Sequence, residues 1–216
     1  QYICAHVGIG YEICEELSLP EADVIAVAAH DTQSAITAVP CQDDDFIFIS
    51  CGTWSLLGIE SEKAIITEDS FRENFTNEGG IEGTTRFLKN ICGLWLFEQS
   101  RKKFKDAPSS VGELVALCES STYDGLIFPD DPSFSNPSSM TAAIREYCSR
   151  TGQTAPETPA DYCRCIFRSL AFRYRQVVEI LETMCDFPIR KLHVIGGGSQ
   201  NRYLMQYAAN ALNMPV

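Results

Sequence analysis

The chain has 216 residues, 45% hydrophobic and 21% charged, which is an ordinary globular composition with length enough for a sizeable core and excludes a disordered or fibrous chain. Its 17 basic and 29 acidic side chains leave a net charge of −12, so a broad surface for a nucleic acid is not expected. A small anion remains compatible, because backbone N–H groups, helix N-termini and a bound Mg²⁺ can hold phosphates without a basic surface. With no signal-peptide pattern and no Cys-x-x-Cys pair, the 10 cysteines are expected to be free thiols in a reducing cytoplasm. His6, His30 and His193 supply no zinc spacing. No apolar run approaches the roughly 20 residues of a membrane-spanning helix, so no membrane partner is expected.

In chain order, the run Val24 to Ala29 (VIAVAA) is too short for a helix and stops at His30-Asp31-Thr32, which predicts a buried strand with polar side chains at its end. Phe46 to Ser50 and Trp54 to Ile59 flank Cys51-Gly52-Thr53 and predict a β-hairpin. From Thr84 to Phe104 the spacing of Phe87, Ile91, Leu94 and Trp95 predicts a helix notched at Gly93. Shorter helices are predicted near Ser110 to Ser120 and Met140 to Arg150. The Pro, Asp and Ser of Ile127 to Pro137 between them predict a surface loop.

Thr158-Pro159-Ala160-Asp161 then carries the marks of a helix start: a capping threonine, a proline in the first turn and a carboxylate three residues on. The stripe Tyr162, Ile166, Leu170, Tyr174, Val177, Leu181 and Met184 is expected to face the core. Lys191 to Ile195 reads as a strand, Gly196-Gly197-Gly198 as a turn and Ser199 to Leu212 as a helix. Cys148 and Cys165 fall on two successive predicted helices and are expected to approach each other as reduced thiols.

Three polar sites thus sit at predicted strand ends, where α/β folds usually bind ligands. Asp31 has the chemistry to take a proton from a hydroxyl nucleophile, although an aspartate there also suits a helix cap. In Ser50-Cys51-Gly52-Thr53, a glycine that admits a phosphate close to the backbone precedes a hydroxyl. Gly196-Gly197-Gly198-Ser199-Gln200-Asn201 is neither a dinucleotide fingerprint nor a Walker A loop, and by itself it suits a structural turn equally well.

Together these segments resemble the FGGY carbohydrate kinases and, within them, the rhamnulokinases. The resemblance rests on AAHDTQSA (Ala28 to Ala35), SCGTWSLLGIE (Ser50 to Glu60), TNEGGIEGTTRFLKNICGLWLFEQ (Thr76 to Gln99) and FPDDPSFSNPSSM (Phe128 to Met140), and it continues through CRCIFRSLAFRYRQV and HVIGGGSQNRYL. It implies an α/β domain of the ribonuclease H-like, actin-like ATPase fold, with a mixed sheet flanked by helices. Residues 1–216 would form the nucleotide-binding half, and an amino-terminal lobe would complete the site. The implied activity is ATP- and Mg²⁺-dependent phosphorylation of L-rhamnulose at its 1-hydroxyl.

The resemblance also implies residue roles. Asp31 would be the catalytic base, His30, Thr32 and Asn90 would contact the sugar, and Thr53 and Gly198 would contact ATP; no residue is implied as a metal ligand. Glu98 departs from the family pattern, which often has glutamine there. Another ketose kinase, such as a fuculokinase or xylulokinase, is the nearest alternative. A non-catalytic actin-like sugar or nucleotide sensor is the other, and Asp31 argues against it.

Overall fold

A computed structural model describes residues 5–6, 15–18, 25–26, 31–37, 39, 46–80, 83–105, 107–108 and 110–216. Residues 1–40 and 41–216 form two compact units. In the first, strand β1 (Ala5–His6) pairs antiparallel with β2 (Ile25–Ala26), and helix α1 runs Asp31–Thr37. Of the run predicted as a strand, Ile25–Ala26 is strand, and the rest lies outside the described residues, as does His30. Asp31 opens α1. Thr32 and, one turn on, Ile36 are buried.

The second unit is built on a five-stranded mixed sheet in the order β5-β6-β4-β3-β7. Its strands are β3 (Phe46–Cys51), β4 (Trp54–Ser61), β5 (Thr76–Gly79), β6 (Thr85–Cys92) and β7 (Lys191–Ile195). Neighbours pair antiparallel except β3 and β7, which are parallel. The hairpin between β3 and β4 is the predicted one, closed by Gly52 and Thr53, with the Gly52 N–H donating to the Trp54 carbonyl at 2.9 Å.

Thr84 to Phe104 is not one helix. Residues 85–92 are a strand, and helix α3 occupies only Trp95–Arg101. The reason is burial on both sides: β6 lies between β4 and β5, and Arg86 through Lys89 are all buried. A strand covered on both faces has no simple alternation, so the spacing of Phe87, Ile91 and Leu94 fits a helix by coincidence. Gly58 on β4 is required by the same packing, since a Cβ there would stand 2.6 Å from the Leu88 Cβ.

Helices α2 (Glu68–Arg72), α4 (Val111–Leu117), α5 (Met140–Arg150), α6 (Pro159–Glu182) and α7 (Arg202–Leu212) complete the unit. The start of α6 is as read: the Thr158 hydroxyl accepts the Asp161 N–H at 3.2 Å, and the Asp161 carboxylate accepts the Thr158 N–H at 3.0 Å. Ser121 Oγ donates to the other Asp161 oxygen at 2.6 Å. The apolar stripe of α6 is buried from Tyr162 to Leu181, and α6 packs against α3, α4, α7 and β4.

The loop 127–137 is less superficial than its composition suggests. Phe134 and Ile127 are buried in it, and Asp130 ties it down: one carboxylate oxygen accepts the Cys92 N–H at 2.7 Å and the other pairs with Arg173 at 2.7 Å. Cys148 on α5 and Cys165 on α6 are both buried free thiols, and burial together with the neighbouring Cys148 pushes Cys165 up to about 12. Among the described residues, no helix is long and apolar enough to cross a membrane.

Candidate functional site

The parallel pairing of β3 with β7 sets Ser50 beside Ile195, so the two turns that follow these strands come out at one end of the sheet. Their contact explains two of the three successive glycines. Gly196 has φ +86°, the left-handed region, and a Cβ on it would lie 2.8 Å from the Cys51 carbonyl oxygen. A Cβ on Gly198 would overlap the Cys51 Sγ and stand 3.0 Å from the Cys51 carbonyl oxygen. The second turn can lie against the first only where it has no side chain.

The hairpin turn is also held from the β6–α3 junction. The Leu94 N–H donates to the Gly52 carbonyl at 2.8 Å, and the Gly93 and Trp95 N–H groups donate to the Thr53 carbonyl at 3.2 and 3.1 Å. Gly93 must be a glycine here, since its Cβ would stand 2.6 Å from the Gly52 carbonyl oxygen. Beneath the turn, the fully buried Tyr174 hydroxyl lies 2.9 Å from Ser55 Oγ and 3.6 Å from Cys51 Sγ. Burial raises Cys51 and holds Tyr174 well above the ordinary tyrosine range, so this cluster stays neutral.

Between these turns and the helices opens a cleft of about 670 Å³, a size that accommodates a small-molecule ligand. Gly52 and Thr53 border it on one side, and Gly197 and Gly198 with the start of α7 on another. Leu94, Phe97 and Glu98 of the α3 region, Val111, Gly112, Val115 and Ala116 of α4, and Glu119 just beyond it form the remaining wall. One end is therefore backbone-rich with the exposed Thr53 hydroxyl, which suits phosphate oxygens, and the rest carries an apolar lining that suits a flat ring. Glu98 brings a carboxylate into the wall, balanced by Arg101, whose Nε donates to it at 2.7 Å.

Of the sequence-predicted residues, Thr53 and Gly198 meet in this cleft. Asn90 does not line it. It lies on β6 opposite Leu56, exposed, two residues before the strand ends. His30 lies outside the described residues, and Asp31 and Thr32 belong to the first unit, on α1. Sequence reasoning missed the α4 wall and Tyr203, which also borders the cleft. Its one local sign is the pair of valines four apart with a glycine between them; nothing in the sequence says which way that face turns.

The FGGY family of carbohydrate kinases, C-terminal domain, matches residues 47–216, nearly the whole of the second unit. The chain belongs to the FGGY family of carbohydrate kinases. The chain is also similar to curated proteins. It is 51% identical over 206 residues to the rhamnulokinase of Bacteroides thetaiotaomicron, covering 95% of this chain and 42% of that protein. It is 46% identical over 198 residues to the rhamnulokinase of Pectobacterium carotovorum, covering 91% of this chain and 39% of that one. The chain thus spans about two fifths of the length of these relatives.

Among solved FGGY structures, Plasmodium falciparum glycerol kinase with ADP superposes with a TM-score of 0.65 over 99% of this chain and 42% of that one, at 16% identity. Xylulose kinase of Rhodospirillum rubrum superposes with a TM-score of 0.62 over 96% of this chain and 41% of that one, also at 16% identity. At such identities the likeness is one of fold, the actin-like ATPase fold expected from the sequence.

Proposed function

We propose that the chain is the nucleotide-binding part of a rhamnulokinase, transferring the γ-phosphoryl group of ATP to the 1-hydroxyl of L-rhamnulose. The observation that carries this reading is the cleft itself. A Gly-Thr hairpin turn and a glycine turn face it from two sides, in a chain 51% identical to a rhamnulokinase. Phosphoryl transfer asks a protein chiefly to position reactants and stabilise charge. In this reading the Thr53 hydroxyl and the backbone around Gly52 and Gly197 hold the phosphates, while the α4 wall and the start of α7 hold the nucleoside.

Asp31 is assigned the base that takes the proton from the sugar hydroxyl, with His30, Thr32 and Asn90 as sugar contacts and a further lobe completing the sugar site. Mg²⁺ generally keeps several waters and is held through substrate phosphates and one or two carboxylates, so it needs no preformed cage. Among the described residues no group of three or more potential ligands converges. The residues fit a metal that arrives with the nucleotide, where it would neutralise developing charge on the phosphates.

A coupled assay of the kinase that contains this chain, offered ATP with L-rhamnulose, L-fuculose or D-xylulose, tests the reading. The expected result is highest kcat/KM for L-rhamnulose. A higher value for another ketose would reassign the substrate, and no ATP-dependent turnover with any of the three would remove the kinase reading.

A further inference from the structure

Among the described residues, glycines 52, 112, 197 and 198 border the cleft. Gly198 is required by its contact with Cys51, and Gly52 closes a hairpin. Gly112 has no such reason. It lies in the first turn of α4, where glycine weakens a helix relative to alanine. Its φ is not in the left-handed region, and a Cβ on it would meet only Ser110 Oγ, at 3.7 Å, an ordinary contact. Local stability therefore favours alanine at 112, and the space the glycine leaves belongs to the cleft.

The neighbouring side chains say what that space suits. Val111, 44% exposed, and Val115, one helical turn on, border the cleft beside Gly112. Val111 and the half-buried Val115 stand on one stripe of the helix beside the bare backbone of Gly112, and together they make an apolar surface, in a chain whose net charge is −12. Such a surface offers nothing to a phosphate and complements the face of an aromatic ring.

We propose that Gly112 is a specificity-determining position, whose missing side chain lets the purine base of the nucleotide lie flat against α4 over Gly112, beside Val111 and Val115. The inference deepens the reading of the cleft as the nucleotide site and rests on it. A side chain at 112 would lift the base from the wall. A two-ring purine, reaching further across the strip than a one-ring pyrimidine, would lose more.

Gly112→Ala and Gly112→Leu, made in the kinase containing this chain, test it against Gly197→Val as a control at the opposite turn. Melting without ligand should not fall for Gly112→Ala. For Gly112→Leu the KM for ATP should rise about 10-fold or more, on the scale of added methylenes in a binding pocket, with the sugar KM unchanged and the preference for ATP over UTP reduced. An ATP KM that Gly197→Val raises and Gly112→Leu leaves alone would overturn this inference and keep the cleft as the nucleotide site. If neither substitution moves the ATP KM, the cleft reading fails and this inference with it. Equal losses for ATP and sugar accompanied by a lower melting temperature in both Gly112 variants would make the glycine structural and overturn the proposal.

Discussion

Gly198→Ala tests how the two turns depend on each other. The added methyl would overlap the Cys51 Sγ and stand 2.9 Å from the Cys51 Cβ and 3.0 Å from its carbonyl oxygen. Cys51 has nowhere to retreat: it is fully buried, ends a strand paired on both sides and contacts Tyr174 from below. Overpacking of this kind costs about 1–3 kcal/mol. At roughly 2–4 °C per kcal/mol for a chain of this length, melting should fall by roughly 2–12 °C. Removing the sulfur should relieve part of the clash. Cys51→Ala combined with Gly198→Ala is therefore expected to cost less than the two single substitutions summed, by about 0.5–2 kcal/mol in urea unfolding. Additivity of the two, or a Gly198→Ala chain as stable as the parent, would refute the idea that Cys51 dictates the third glycine.

Asp31→Asn should lower kcat of the kinase containing this chain by about 10²-fold or more while leaving the KM for ATP unchanged; near-normal kcat would remove the base assignment. Tyr174→Phe takes the hydroxyl away from Ser55 and Cys51 and leaves a buried serine short of a partner, so urea unfolding should register a loss of about 1–2 kcal/mol; no loss would show that the cluster does not brace the turn. His193 on β7 is held below the ordinary histidine range by burial and then by Lys191, and its Nε2 is buried without a hydrogen-bond partner. The folded state thus favours the neutral ring: the contribution to stability is present above pH about 6.5 and is lost as the unfolded chain takes up its proton below that value. His193→Gln should flatten this part of the melting profile between neutral and mildly acid pH, and an unchanged slope would exclude His193 as its source.

Short-range chemistry made part of this protein readable from sequence. The hairpin at Gly52-Thr53 and the start of α6 at Thr158 are each specified by residues within a few positions, through turn geometry and a reciprocal cap. The motif strings around Asp31, Thr53, Asn90 and Gly198 sufficed to reach the family, because they are long and occur in a fixed order. Tertiary structure decided what those signals leave open. Residues 85–92 became a strand because β4 and β5 cover them on both edges, a circumstance invisible to a periodicity that fits a helix as well. Phe134 became core because Asp130 anchors its loop to Cys92 and Arg173, partners tens of residues away. The cleft needed the parallel pairing of β3 with β7, which joins residues about 145 positions apart and brings two unremarkable turns together. The face of α4 that holds Gly112 is set by how that helix packs on α6, and no pattern within seven residues can encode the direction it turns.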